Sequence, residues 1–144
     1  MKKLLFYAVQ WIWGLPINLI GLVAFIFFAK LKRCKHEQFY NSTVTYVPSN
    51  WGGVSFGMFI FINSERNEAW RRDAQIHEYG HTIQLLLLGP FWILAIAIPS
   101  FVWCNFKPCI KFRKKHDASY YSFYCEAWAD SLGQSYTGLE LLRK

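Results

Sequence analysis

"HEYGHTIQLLLLGPFWILAIAIPS", residues 77–100, decides how this chain is read. Its first five residues carry two histidines and a glutamate at metal-ligand spacing. Within four residues of His81 it becomes an apolar run with the character of a membrane segment. Any fold proposed for the chain must reconcile the two halves.

On a helix, His77 and His81 are four apart and project from one face, one turn from each other. Two neutral imidazole nitrogens so placed can bind one zinc ion. Glu78 is turned about 100° from His77, close enough to act as general base on a water whose pKa the zinc lowers. Gly80 leaves that turn free of side-chain bulk. The pattern is HExxH. The plain alternative is a histidine pair on an ordinary helix. Context favours the metal. "SERNEAWRRDAQIHEYGHTIQLLLLG" opens with Ser64 or Asn67 as N-cap, keeps a helical pattern to Gly89, and ends at Gly89–Pro90.

A catalytic zinc needs a third protein ligand and an open position. His36 and His116 are poorly placed, and HExxHxxGxxH is absent. Glu126, in "CEAWADSLG" (125–133), is the strongest candidate. It falls on a helix expected from about Ala118 to Leu132, stopped near Gly133 and followed by a short helical end. Asp130 lies on the same face, where it can fix the tautomer of a liganding histidine. The alternative is a solvated acidic pair, which the aromatic and apolar surroundings disfavour. For an oxyanion donor the nearby groups are Tyr120, Tyr121, Tyr124 and His116.

"HEYGH" followed by "EAWAD" resembles the gluzincin class of zinc metallopeptidases, whose pattern is HExxH followed by ExxxD. The form "EAWADSLG" is most similar to the minigluzincins and to the CAAX prenyl endopeptidase family of membrane metalloproteases. The resemblance covers about ten residues and the element order over 43–133. It implies zinc held by His77, His81 and Glu126, with Glu78 as base and Asp130 behind a histidine. It also implies a peptide or protein substrate pairing with the edge of a small sheet, here the 53–63 strand. The chain is far shorter than the CAAX enzymes and lacks their many spans, so prenylated substrates are not implied.

The 144 residues are 53% hydrophobic and only 17% charged, against about 25% charged in typical soluble domains. Two stretches, 4–29 and 85–106, hold much of the apolar content. "MKKLLFYAVQWIWGLPINLIGLVAFIFFAKLKRCK" opens like a secretory signal, but its apolar run exceeds the roughly 7–15 residues of such signals and no cleavage site follows. A retained anchor over 1–35 is expected, either spanning once or broken at Gly14–Pro16 into a hairpin. Basic clusters follow both stretches: Lys30, Lys32, Arg33 and Lys35, then Lys107, Lys111, Arg113, Lys114 and Lys115. Their position marks them as cytoplasmic membrane flanks rather than a nucleic-acid surface. The four cysteines lack CxxC spacing and read as free thiols rather than a zinc ribbon.

Residues 43–63 change period. "STVTYV" and "VSFGMFIFIN", separated by the turn-forming "PSNWGG", read as two antiparallel strands. The expected fold is therefore α+β and mostly helical. It consists of a membrane-anchored minigluzincin-like core with a small antiparallel sheet, an active-site helix and a second ligand helix, over residues 36–144.

One constraint follows. If His77, His81 and Glu126 share an ion, the 85–106 segment between them cannot cross a bilayer and stay across, because Glu126 would then lie about 30 Å away. It must dip and return, broken at Gly89–Pro90 and Pro99–Ser100, with both flanks cytoplasmic. The leading functional reading is a membrane-associated zinc metallopeptidase, with lipid bilayer and peptide as partners. A zinc-dependent hydrolase of a lipid or other non-peptide substrate is the alternative, as is a non-catalytic membrane protein with structural zinc. A di-iron oxygenase is disfavoured, because four histidines are too few.

Overall fold

A computed structural model describes residues 3–143. Its central element is the helix that carries the histidines, α3 (Glu68–Leu88). The Asn67 side chain accepts the Trp70 amide at 2.8 Å and caps its start. Gly89, at φ +54°, ends it. There a Cβ would meet Trp13 Nε1 at 1.8 Å, so both the backbone angle and the packing require glycine.

The sheet holds four strands: β1 (His36–Phe39), β2 (Ser42–Val47), β3 (Gly53–Phe56) and β4 (Phe59–Asn63), in the order β1-β2-β4-β3. It is mixed rather than antiparallel, since β2 and β4 run parallel while β1–β2 and β3–β4 are antiparallel. The single strand expected over 54–63 is a hairpin. Gly57, at φ +66°, turns the chain at Gly57–Met58, and this second reversal returns β4 to the direction of β2. β4 is buried throughout, as its unbroken "FIFIN" demands.

The N-terminal arm is α1 (Lys3–Trp13) and α2 (Leu15–Phe25), running into a π-helical turn over Ile26–Leu31. The break at Gly14 bends it by 101°. Its polar interruptions explain the bend. The Asn18 amide donates to the Gln10 carbonyl (2.9 Å), the Gln10 side chain (2.9 Å) and the Gly14 carbonyl (3.0 Å), while its oxygen accepts the Met58 amide (2.9 Å). Gln10 donates in turn to the Thr82 carbonyl on α3 (3.0 Å). Phe6 is fully buried in the same core as the sheet and α3. Within the stretch expected as an anchor, the arm over residues 3–31 thus packs into the body of the fold.

After α3 a short 3₁₀ turn (Gly89–Phe91) and a π-helical stretch (Ile93–Ala97) lead into α4 (Ile98–Asn105). Pro99 does not divide the segment as expected. The wider π turns before it accommodate a ring that would clash with an α-helical carbonyl. The bend, 71°, falls instead at Phe106, before α5 (Lys107–His116). Trp92 and Ile96 pack with Leu85 and Cys125, tying this segment to α3 and to α6 (Tyr124–Thr137). No single helix among the described residues is long and apolar enough to cross a membrane. The two bent pairs, Lys3–Trp13 with Leu15–Leu31 and Ile93–Asn105 with Lys107–His116, have the length and composition only when taken together.

The last helix also departs from expectation. Residues 120–122 form a 3₁₀ turn, α6 starts at Tyr124, and it runs through Gly133 to end at Gly138, φ +70°. Gly133 is a contact rather than a stop, because a Cβ there would lie 2.1 Å from the Ile76 carbonyl oxygen. Residues 138–143 are not helical.

Candidate metal centre

α3 and α6 cross closely because each offers a glycine to the other's backbone: Gly80 faces the Ala129 carbonyl, and Gly133 faces that of Ile76. That approach brings His77, His81 and Glu126 together, all buried, with their ligand atoms within 4.8 Å of one another. His77 Nε2 is 3.1 Å and His81 Nε2 3.5 Å from the same atom, Glu126 Oε2. Ligand atoms sharing one tetrahedral ion at roughly 2.0–2.1 Å stand about 3.3 Å apart. The spacing fits.

The other ring nitrogens settle the tautomers. His77 Nδ1 donates to Asp130 Oδ1 at 2.7 Å, and His81 Nδ1 to Gln84 Oε1 at 2.7 Å. The Gln84 amide donates to the Cys125 carbonyl at 2.8 Å, which turns its oxygen toward His81. Each Nε2 therefore presents a lone pair toward a carboxylate oxygen. Three acceptors facing one another require a cation between them, either a proton or a metal ion. This donor set can hold a divalent metal.

Without a metal, protons fill that role. Burial opposes charge on His77, but its bonds to Asp130 and Glu126 outweigh this and raise it to about 9. Burial opposes charge on Glu126 too, yet hydrogen bonds from His77 and His81 hold it far below the usual carboxylate range. Glu78 behaves differently. Buried, and only partly relieved by the two histidines and the Ser55 hydroxyl, its carboxyl is pushed up. Two carboxylates in one site are thus driven apart, one toward ligand and one toward proton carrier. Glu78 lies against β3, where a Cβ on Gly53 would meet its Oε1 at 2.6 Å.

The chain after α6 closes the back of the site. The Leu142 and Arg143 amides each donate to Asp73 at 2.8 Å. The Arg143 guanidinium donates to Asp130 Oδ1 and lies 3.6 Å from the centre of the Tyr121 ring. That ring meets His77 edge-on at 5.2 Å. Burial raises the Tyr121 phenol despite Arg143, keeping it an O–H donor.

Of the residues singled out from sequence, His77, Glu78, His81, Glu126, Asp130 and Tyr121 gather here. The others do not. Tyr124 donates its hydroxyl to the Ala95 carbonyl, and His116 ends α5 against Phe112. His36, on β1, faces Phe25. The Tyr120 hydroxyl reaches Ser100 at 3.5 Å, and its carbonyl accepts Trp103 Nε1 at 2.9 Å. Gln84 and Arg143 were not anticipated. Gln84 had a signal, lying one turn beyond His81, whereas Arg143 had none. In comparisons with known proteins, no family, curated protein or solved structure matches the chain.

Proposed function

We propose that the chain is a gluzincin-type zinc metallopeptidase that works at a membrane surface. One observation carries this reading: two Nδ1-anchored histidines and one buried carboxylate aim three lone-pair atoms at a common point, with a second carboxyl group, Glu78, beside them. Zinc held by His77, His81 and Glu126 would supply Lewis acidity there, polarising a carbonyl and lowering the pKa of water to about 7. Glu78 takes the proton from the attacking water and returns it to the departing amine, a role suited to a carboxyl whose pKa burial has raised. Asp130 and Gln84 hold the two imidazoles in the ligating tautomer. The substrate backbone adds to the outer edge of β3, which lies at the margin of the sheet with Gly53 against Glu78.

Membrane placement is supported by what the fold leaves outside. Leu19, Ile20 and Val23 of α2, and Phe91, Leu94 and Phe101 beyond α3, are exposed, an apolar surface of the kind that marks contact with lipid or protein. The basic runs that follow these segments, over residues 30–35 and 107–115, support a cytoplasmic side for the site. A structural zinc is disfavoured because such sites use four protein ligands and this cluster has three among the described residues. A lipid-cleaving hydrolase is the second reading. It is favoured by the exposed apolar side chains Phe91, Leu94 and Phe101 on the segment that joins the two helices of the site.

The test is metal content and cleavage of quenched-fluorescent peptides by the purified chain. Glu78→Gln should keep its zinc and lose cleavage by roughly a hundredfold or more, while His77→Ala should lose both. Undiminished cleavage in Glu78→Gln would overturn the mechanism. Ester-lipid turnover without peptide cleavage would select the second reading.

A further inference from the structure

Away from the metal centre, a hollow of about 1020 Å³ opens between the end of the N-terminal arm, β1–β2 and the first turns of α3. Five cations line it: Lys32, Arg33 and Lys35 from the link into β1, and Arg71 and Arg72 from α3. Among the described residues that line it, only two carboxylates, Glu37 and Glu68, oppose them. The excess is not neutralised by ion pairs. Among the described residues, Arg72 pairs with Asp73, but Lys32, Arg33, Lys35 and Arg71 have no carboxylate within 4.0 Å. Glu37 is held by neutral donors, the Tyr46 hydroxyl and the Gln75 amide (3.1 Å).

The cations are also arranged. Lys35 Nζ and the Arg71 guanidinium lie 5.7 and 5.6 Å from the centre of one ring, Tyr46. Arg33 adopts φ +54°, a costly angle for a side chain of this size. Gathering like charges in a concave site opposes folding and focuses a positive potential into the hollow. Arginine adds paired N–H donors that match phosphate oxygens.

We infer that this hollow binds a multiply charged phosphate group. Its position favours a lipid headgroup as the source. Lys32 directly follows the apolar arm, whose last residues, Phe27 and Leu31, are exposed, so the hollow lies where headgroups would begin. The site differs from a diffuse basic flank in recruiting Arg71 and Arg72, forty residues away in sequence, and in excluding the Lys107–Lys115 cluster. It is independent of the peptidase reading.

The test uses the full chain in detergent micelles with chelator present, so that phosphate is not read at the metal centre. Affinities are measured by calorimetry for three probes: short-chain phosphatidylinositol bisphosphate, short-chain phosphatidylserine and inorganic pyrophosphate. The bisphosphate lipid should bind several-fold tighter than phosphatidylserine. Lys35→Gln and Arg71→Gln should each weaken it by roughly fivefold, with unchanged circular dichroism. Lys111→Gln and Lys114→Gln should leave it unchanged. Pyrophosphate binding as tightly as the lipid assigns a soluble phosphate compound, and weaker binding assigns the headgroup. Equal affinity for phosphatidylserine, or equal losses in the α5 variants, overturns the proposal.

Discussion

Gly80 of α3 and Ala129 of α6 pack backbone to backbone: a methyl group on Gly80 would lie 1.9 Å from the Ala129 carbonyl oxygen. The separation of the two ligand helices is set at this contact. Gly80→Ala must therefore push α6 outward and carry Glu126 away from the histidines. We expect destabilisation of roughly 1–3 kcal/mol or more, together with loss of bound metal, by thermal melting and metal analysis. Retention of full metal content by this variant would show that the close approach is not what assembles the site.

Asp130 and Gln84 each hold one imidazole by its Nδ1. Asp130→Asn and Gln84→Leu should weaken zinc binding by about 10–100-fold without removing a ligand, as read by competition with a chromophoric chelator. Arg143→Met frees Asp130 from its second donor and should give a smaller loss in the same assay. Unaltered zinc affinity in Gln84→Leu would mean that His81 does not depend on it.

The metal-free protein should show a distinct pH dependence. His77 has a folded value near 9, above its unfolded value of about 6.5. Its contribution is complete below that unfolded value and is lost as pH rises through 9. Glu78, also raised, acts in the same direction. Glu126, lowered, contributes above its unfolded value and is lost only as pH falls far into the acid range. Chelated protein should accordingly melt progressively lower from pH 6.5 to 9. Added zinc should cancel or reverse that slope, because metal binding displaces the imidazolium proton. A flat profile in chelator would contradict the hydrogen-bonded cluster.

Asn18 is fully buried at the bend of the N-terminal arm. Asn18→Leu strands the Met58 amide and the Gln10 side chain, each costing about 1–3 kcal/mol if left unpaired. Because Gln10 also holds the Thr82 carbonyl next to His81, melting temperature and zinc affinity should fall together. A loss of membrane binding alone, with metal affinity intact, would indicate a detachable anchor.

Much of this protein is legible in the sequence by itself. Helical spacing puts His77 and His81 on one face and Glu126 with Asp130 on another; Asn67 and Gly89 mark the ends of α3; Gly14 breaks the arm. These are consequences of local backbone geometry, which neighbouring residues determine. The meeting of Glu126 with His77 and His81 across the 85–106 segment is expected from the two motifs. The rest depended on contacts between residues far apart in the chain. Period and turn chemistry located strands, but the parallel pairing of β2 with β4 depends on the hairpin at Gly57–Met58 reversing the chain a second time. Gly133 reads locally as a helix stop, and only the Ile76 carbonyl across from it makes it a packing surface. Pro99 reads as a break, and the π turns before it absorb the ring. Gln84, Arg143 and the cations gathered around Tyr46 acquired roles only when the folded chain brought their partners to them, because hydrogen bonds and charge clusters act over ångströms in space irrespective of sequence separation.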